Sequence, residues 1–342
     1  MTTPLYVGID VSMRQLDVAI ATSITPAPPV AHFANERKGW RKLACQLKQQ
    51  VAQAQAEVVH LVLEPSGGYE AALVAFAYEQ GWCVSLVNPW QVRRFIDGQG
   101  VRAKTDRIDA LMLARFAATN QPEAQAPMDE GAAELDELME RRQDLEKLQQ
   151  AERNRLAIIK RKPHTPRAVR RSIERTLRTL EEELQAIEEA IQAVLAQRHD
   201  LKAQRQLLQT IPAIGSKLSL EMLVLCHHFW AHTAGKGSGK QLVAFLGLDP
   251  KPHESGNAKK HAAISHQGNS RLRAMLYCGA LGGVSGNNPL KAWYHKLLAH
   301  GKPKKVALVA CSRKVLTWVW ALFTSNLPFD STRFPMPDAS PA

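Results

Sequence analysis

The stretch Leu5–Thr22, LYVGIDVSMRQLDVAIAT, decides the architecture of the first third of the chain. Two apolar runs, LYVGID and LDVAIAT, flank the turn-prone VSMRQ, and VAHFAN (30–35) adds a third, so a meander of three antiparallel strands opens the domain. Working outward, Glu36–Gln55 reads as a helix, VVHLVLE (58–64) as a buried strand ended by PSGG, and Tyr69–Gln80 as a helix. CVSLVNP (83–89) then reads as a strand and Asp106–Ala118 as a helix. The expected product is a mixed α/β sheet, meander first and β-α units after.

Such a sheet brings strand ends together, and two of those ends are acidic. Asp10 closes the first strand and Glu64 the buried one, while Asp106 and Asp109, three apart, share one helix face. If the two strands are neighbours, four carboxylates converge and repel unless they are protonated or bridged by cations. Oxygen donors without His or Cys suit Mg²⁺ or Mn²⁺, and two such ions about 3.5–4 Å apart bind both the attacking and the leaving oxygen of a phosphoryl transfer. Any one of these acids taken alone is equally a solvated strand end or a helix cap. Asp17, inside a strand pattern, and Asp97, before GQG, read as structural or exposed.

The charge distribution points to a polyanionic partner. The 342 residues carry 44 Lys and Arg against 32 Asp and Glu, a net +12. Residues 1–130 are near neutral at −1, whereas 141–178 carry +9 and 235–314 carry +12. Nucleic-acid phosphate is therefore expected on the second half, and the acids of the first half are left for chemistry. With 45% hydrophobic and 22% charged residues, the composition is that of a folded protein and excludes collagen-like or wholly disordered classes. Five widely spaced cysteines without a CxxC pair argue against a disulfide framework or structural zinc and fit the cytoplasm. Ser312-Arg313-Lys314 interrupts the most apolar late segment, Val306–Phe323, so no membrane span is expected.

Pro122 and Pro127 mark a boundary, giving a catalytic domain over 1–125. A basic helical, coiled-coil region over 126–206 follows, with helices at Glu134–Lys162 and Arg167–Leu208 broken by KPHTP. Ile173, Leu177, Leu180, Leu184, Ile187, Ile191 and Val194 form an a/d seam, compatible with a hairpin packed on itself or with dimerisation. Residues 207–328 read as an all-helical basic domain with one long polar loop, and 329–342 as a loose tail. Within the basic regions, Arg161, Lys162, Arg167, Arg170, Arg171, Lys217, Lys259, Lys260, Arg271, Arg273, Lys304 and Lys305 are the candidate phosphate contacts. Trp293, Trp318 and Trp320 sit in helical patterns and are expected in the core.

VGIDVS…LDVAI, VLEPSGGY, NPWQVRRF and KTDRIDALMLARF together resemble the N-terminal RuvC-like, RNase H-fold domain of the Asp-Glu-Asp-Asp transposases of insertion-sequence family one-ten, with its eleven-eleven subgroup. The resemblance maps the catalytic carboxylates onto Asp10, Glu64, Asp106 and Asp109. FLGLDPKPHESGNAKKHAAISHQGNSRLRAMLY (245–277) resembles the C-terminal domain of the same transposases, whose nucleophilic serine falls on Ser255. The overall fold it implies is α/β plus all-α: an RNase H-like mixed sheet, central coiled-coil helices and a C-terminal helical transposase domain. It further implies a phosphoserine intermediate, a structured noncoding guide RNA that pairs with donor and target double-stranded DNA, and a dimer-to-tetramer of a bacterial protein. As residues, Ser255 beside Gly256 is also a common turn pair, and Ser265 and Ser270 are rivals, the latter as the N-cap of RLRAMLY. IPAIG before SKLSLEML resembles the turn of helix-hairpin-helix modules, with Ala213 where Gly is usual, and reads equally as an ordinary helix–helix turn. Two other functions compete: a hydrolytic nuclease similar to Holliday-junction resolvases, for which Ser255 is dispensable, and a nucleic-acid-binding scaffold with a degenerate site, against which all four acids argue.

Overall fold

Alternation along the first strand sorts its side chains between two layers. Leu5, Val7, Ile9 and Val11 of β1 (Pro4–Val11) point to one side of the sheet, and Tyr6, Gly8 and Asp10 to the other. β2 (Gln15–Ile20) and β3 (Ala31–Ala34) follow antiparallel. After α1 (Arg37–Ala54), β4 (Val58–Leu63) returns parallel beside β1. Then come α2 (Ala71–Glu79), β5 (Cys83–Leu86), α3 (Pro89–Gly98) and α4 (Asp106–Asn120). The order β3-β2-β1-β4-β5, with β2 alone antiparallel, is that of an RNase H-like sheet. The computed structural model describes residues 4–20, 30–100, 106–255 and 258–332, with the backbone alone at 106–107 and 252–262.

Each sheet face has its own core. Leu43 and Leu47 of α1 and Leu73 of α2 bury against Val7, Ile9, Leu61 and Leu63. On the other face Met112, Leu113 and Phe116 of α4 and Val92 and Ile96 of α3 cover Val62. Gly8 permits that second layer: a Cβ there would run into the backbone of Ala110 and Ala114, which pack with Ala19 of β2. Small residues on both sides thus draw α4 directly onto β1.

The chain divides into two compact units, 1–127 with 230–236 and 128–229 with 237–342. The second unit holds α5 (Glu130–Ile159), α6 (Arg167–Gln197), α7 (His199–Gln209) and most of α8 (Ser216–His232). It continues with α9 (Gly239–Phe245), β6 (Pro250–Ser255), β7 (Ala258–Ile264), α10 (Ser270–Gly283), α11 (Pro289–Ala299) and α12 (Lys304–Ser325). The ion pairs Arg142–Glu188 and Arg153–Glu181 bridge α5 and α6, which run antiparallel, and Leu180, Ile191 and Val194 of the seam are buried within the chain. α12 is long and apolar enough to cross a membrane by length and composition, yet its Val315, Leu316, Trp318, Val319 and Leu322 are core residues of this unit. Trp320 joins them, and Trp293 packs half-buried against the same cluster.

Four expectations are corrected. The long polar loop of the third region is an antiparallel strand pair, β6–β7, so that region is not all-helical. A Gly-Asn dipeptide separates the two strands in the sequence, a hairpin signal that the loop reading passed over. NPWQVRRF is α3 rather than a strand end and loop: the Asn88 side chain accepts from Trp90 N–H, Pro89 occupies the first turn, and Asp97 pairs with Arg93 inside the helix. The second long helix breaks at Arg198, whose guanidinium reaches both Asp129 (2.8 Å) and Asp200 (2.7 Å). The N-cap of α10 is Asn269, not Ser270, because the Asn side chain accepts from Arg271 and Leu272 N–H.

Candidate active site

Strand register assembles the acidic row. Ile9 pairs with Leu63, so Asp10 and Glu64, each the next residue, lie at adjacent positions where β1 and β4 end. Asp10 also pairs across to Asp17, and Asp17 to His32 of β3. Opposite residues in a sheet share a face, so His32, Asp17, Asp10 and Glu64 run in one row on the side where α4 lies. Asp109 sits one residue before Ala110, where α4 meets Gly8. Asp106 opens the same helix, and its side chain lies outside the described residues.

Asp17, which the strand pattern leaves as structural or exposed, is buried, 3% accessible, directly opposite Asp10. Its carboxylate is held by His32 Nδ1 at 2.5 Å and by the Gln15 amide at 3.1 Å. Two carboxylates at opposite positions repel, and these two side chains supply hydrogen-bonding partners to the buried one. The period-two pattern QLDVAI already placed Asp17 on the face of Gln15 and Ala19, which was the legible signal.

The loops at the two strand ends are tied down by residues the motif reading left without a role. Glu70 is buried, and its Oε2 accepts from Ser66 N–H (3.0 Å), Ser66 Oγ (2.6 Å) and Gly68 N–H (3.1 Å). Burial alone raises its pKa, but these donors outweigh burial and hold the carboxyl below its ordinary range. The loop that follows Glu64 is thereby fixed. Asn35 Nδ2 donates to Ser12 O (2.9 Å) and Tyr69 O (3.0 Å), joining the loop after β1 to the loop after β4. Deeper on this face, His60 Nε2 meets Ser85 Oγ at 2.7 Å, and burial pushes His60 down to about 4, so it is neutral.

The metal implied by the resemblance fits this end of the sheet by donor chemistry, since hard carboxylate oxygens gather on neighbouring strands. Among the described residues, no group of three or more His, Cys, Asp or Glu is close enough to hold an ion.

Ser255 ends β6, opposite Ala258, with His253 and Glu254 opposite Lys260 and Lys259. The side chains of Ser255, Lys259 and Lys260 lie outside the described residues. The base of this two-stranded arm is closely built. Arg273 Nη1 donates to Leu246 O (3.1 Å), Gln267 O (2.6 Å) and Gly268 O (3.1 Å), drawing together both ends of the segment. Gly247 stands at φ +73° with its Cα against the Gln267 backbone, where any side chain would collide. Ser265 N–H donates to Asp249 O at 2.9 Å, and its hydroxyl to the Asp249 carboxylate.

Two candidate phosphate contacts are thus engaged inside the fold: Arg273 at the arm, and Arg271 on buried Glu221 (2.6 and 2.9 Å), which also meets buried Arg142 at 3.3 Å. Arg161, Lys162, Arg167, Arg170 and Arg171 are exposed around the tip of the α5–α6 hairpin, with Arg170 paired to Glu174. Lys304 and Lys305 are exposed in the first turn of α12, and Lys217 is an exposed partner of Glu146. Ala213, in the turn before α8, has φ +90°, a conformation that suits the Gly usual there.

A family model described as "Transposase", of the IS110 Asp-Glu-Asp-Asp type, matches residues 7–159, and one described as "Transposase IS116/IS110/IS902 family" matches 205–295. A pilin gene-inverting protein of Moraxella lacunata is 27% identical over 95% of this chain and 97% of its own length. The transposase for insertion sequence element IS1111A of Coxiella burnetii is 34% identical over 35% of this chain and 32% of its own. Among solved structures, T. thermophilus RuvC in complex with a Holliday junction substrate covers 34% of this chain and 94% of that one, at 15% identity and a TM-score of 0.27. With both family segments matched in order, the chain belongs to the IS110 family of transposases, DNA recombinases that cleave and rejoin DNA.

Proposed function

We propose that this transposase cuts and exchanges DNA strands through a phosphoserine intermediate, with Asp10, Glu64, Asp106 and Asp109 holding divalent cations and Ser255 as the nucleophile. The observation that carries the reading is the register that sets Asp10 beside Glu64, with α4 drawn onto β1 at Gly8. Bound Mg²⁺ or Mn²⁺, two ions to a site, would polarise the scissile phosphate and lower the pKa of the attacking hydroxyl. The Ser255 oxygen forms a bond to phosphorus as the bond to one DNA sugar oxygen breaks, so the energy of a phosphodiester is kept for rejoining. Lys259 and Lys260 follow on the partner strand and supply positive charge for the phosphate.

In the same reading a structured noncoding RNA guides the choice of donor and target DNA. The exposed cations from Arg161 to Arg171, with Lys217, Lys304 and Lys305, contact phosphate, and the chains work in the cytoplasm as a dimer or tetramer.

The test uses labelled DNA, guide RNA and Mg²⁺, resolved on denaturing gels with peptide mapping of any attached protein. Asp10→Asn, Glu64→Gln, Asp106→Asn and Asp109→Asn are each expected to abolish cleavage while nucleic-acid binding persists. Ser255→Ala is expected to lose both strand transfer and the covalent adduct, while Ser265→Ala and Ser270→Ala have milder effects and still form the adduct. Cleavage by Ser255→Ala without an adduct would hand the chemistry to water and to the hydrolytic nuclease reading.

A further inference from the structure

α1 lies on the sheet face opposite the acidic row, packed through Leu43 and Leu47. Its outer side carries Arg37, Lys38, Arg41, Lys42 and Lys48, all exposed. At 100° per residue these five fall within one arc facing away from the sheet. No acidic residue occurs from Arg37 to Ala56, and no Lys or Arg follows from Gln49 to Gln91, so the basic run is isolated in a near-neutral unit.

The stripe works against its own helix. Arg37 and Lys38 open α1 at the positive end of its dipole, and the first turn has no acid to balance them. Arg37–Arg41 and Lys38–Lys42 are like charges four apart, which repel. Among the described residues only Arg37 has a carboxylate partner, Glu79 at 3.5 Å, an exposed pair of little worth. A cleft of about 410 Å³ runs beside the stripe, lined by Arg37, Arg41, Lys48, Cys45 and Phe76, with Glu79 at its edge. Local features that cost stability without an internal return are the mark of a surface built for a partner.

We propose that this face of α1 is a second DNA-binding surface, which takes the phosphate backbone of duplex DNA flanking the cleaved position. Charge complementarity selects a polyanion, and the family's action on DNA selects duplex DNA among polyanions. From Arg37 to Lys48 the stripe runs about 16 Å along the helix axis, the rise of about five nucleotide steps on one strand. Because it lies behind the sheet, it serves DNA beyond the site and not the scissile phosphate itself.

The experiment uses the full chain carrying Arg41→Gln, Lys42→Gln and Lys48→Gln together, with circular dichroism confirming the fold. Affinity is measured by anisotropy against salt for a short duplex confined to the cleaved site and for a duplex with long flanks. The slope of log affinity on log salt is expected to become shallower by roughly 2–3 for the long duplex, about 0.9 per lost phosphate contact, and to stay the same for the short one. Exposed Cys45 lies within the stripe, and Cys278 is the other exposed cysteine among the described residues. A photocrosslinker on Cys45 in a Cys278→Ser background is expected to attach to the DNA flank in the assembled complex. Equal slopes for variant and parent, or a Cys45 crosslink that lands on RNA or on nothing, would overturn the proposal.

Discussion

Glu70 shows how one buried acid serves the site without belonging to it. Its carboxylate takes three donors from the loop after Glu64, and its pKa is lowered because those hydrogen bonds outweigh burial. A lowered folded-state value means that the stabilisation is complete above the ordinary 4.5 and is lost as pH falls through the folded value. Glu70→Gln replaces a charged acceptor with a neutral one and is expected to cost about 1–3 kcal/mol. Melting curves recorded from pH 7 to pH 3 check this: the parent loses stability on the acid side, and the variant, already weaker at pH 7, loses less. Identical acid limbs would show that Glu70 is no part of the loop's support. Gly8 acts at the same scale by omission, since the missing side chain is what lets α4 touch β1.

The β6–β7 arm is the element on which the proposed chemistry turns. Its strands pair with each other in a two-stranded sheet, and such a hairpin is marginal unless something holds its base. Arg273, Gly247 and the Asp249–Ser265 pair do so. Arg273→Ala releases three carbonyls at once and is expected to lower strand transfer by roughly 10²-fold, the scale of a 1 Å misplacement of a reacting group. Arg273→Lys is expected to recover part of that loss, because an ammonium still donates to one or two of the carbonyls. Single-turnover rates, with duplex binding measured alongside, separate positioning from binding. A fall in affinity as large as the fall in rate would instead make Arg273 a phosphate contact.

Across the whole molecule the charges are segregated. The first unit is near neutral, with Asp10 and Glu64 at the ends of β1 and β4 and Asp106 and Asp109 in the first turn of α4, while the surplus of cations lies on the hairpin tip, the arm and the late helices. Counterion release then governs affinity, and a protein with six to ten phosphate contacts loses about 10³–10⁵-fold in binding between 50 and 200 mM salt. The intact chain on duplex DNA is expected to fall in that range. A loss smaller than about tenfold over the same interval would refute an electrostatic interface on the +9 and +12 regions. Neutralising Arg167, Arg170 and Arg171 is expected to reduce the slope without changing which DNA sequence is chosen, because phosphate contacts carry no sequence information.

The strands of the first sheet, most of its helices and the place of Asp10 and Glu64 at strand ends were legible in the sequence, because period-two and period-3.6 patterns are local and strand ends announce themselves by turns. The sequence also determined that the partner is a polyanion, since net charge does not depend on folding. The remainder depended on which segments meet in the fold. Register alone set Asp17 opposite Asp10, and no local pattern reports which residue faces which across a sheet. α6 packs on α5 of its own chain in antiparallel fashion, burying Leu180, Ile191 and Val194 of the seam, a neighbour that heptad spacing alone does not name. Arg271 and Arg273 read as phosphate contacts by charge, yet long-range packing set them against Glu221 and three carbonyls. A side chain's charge is written in the sequence, whereas its partner is chosen only when distant segments meet.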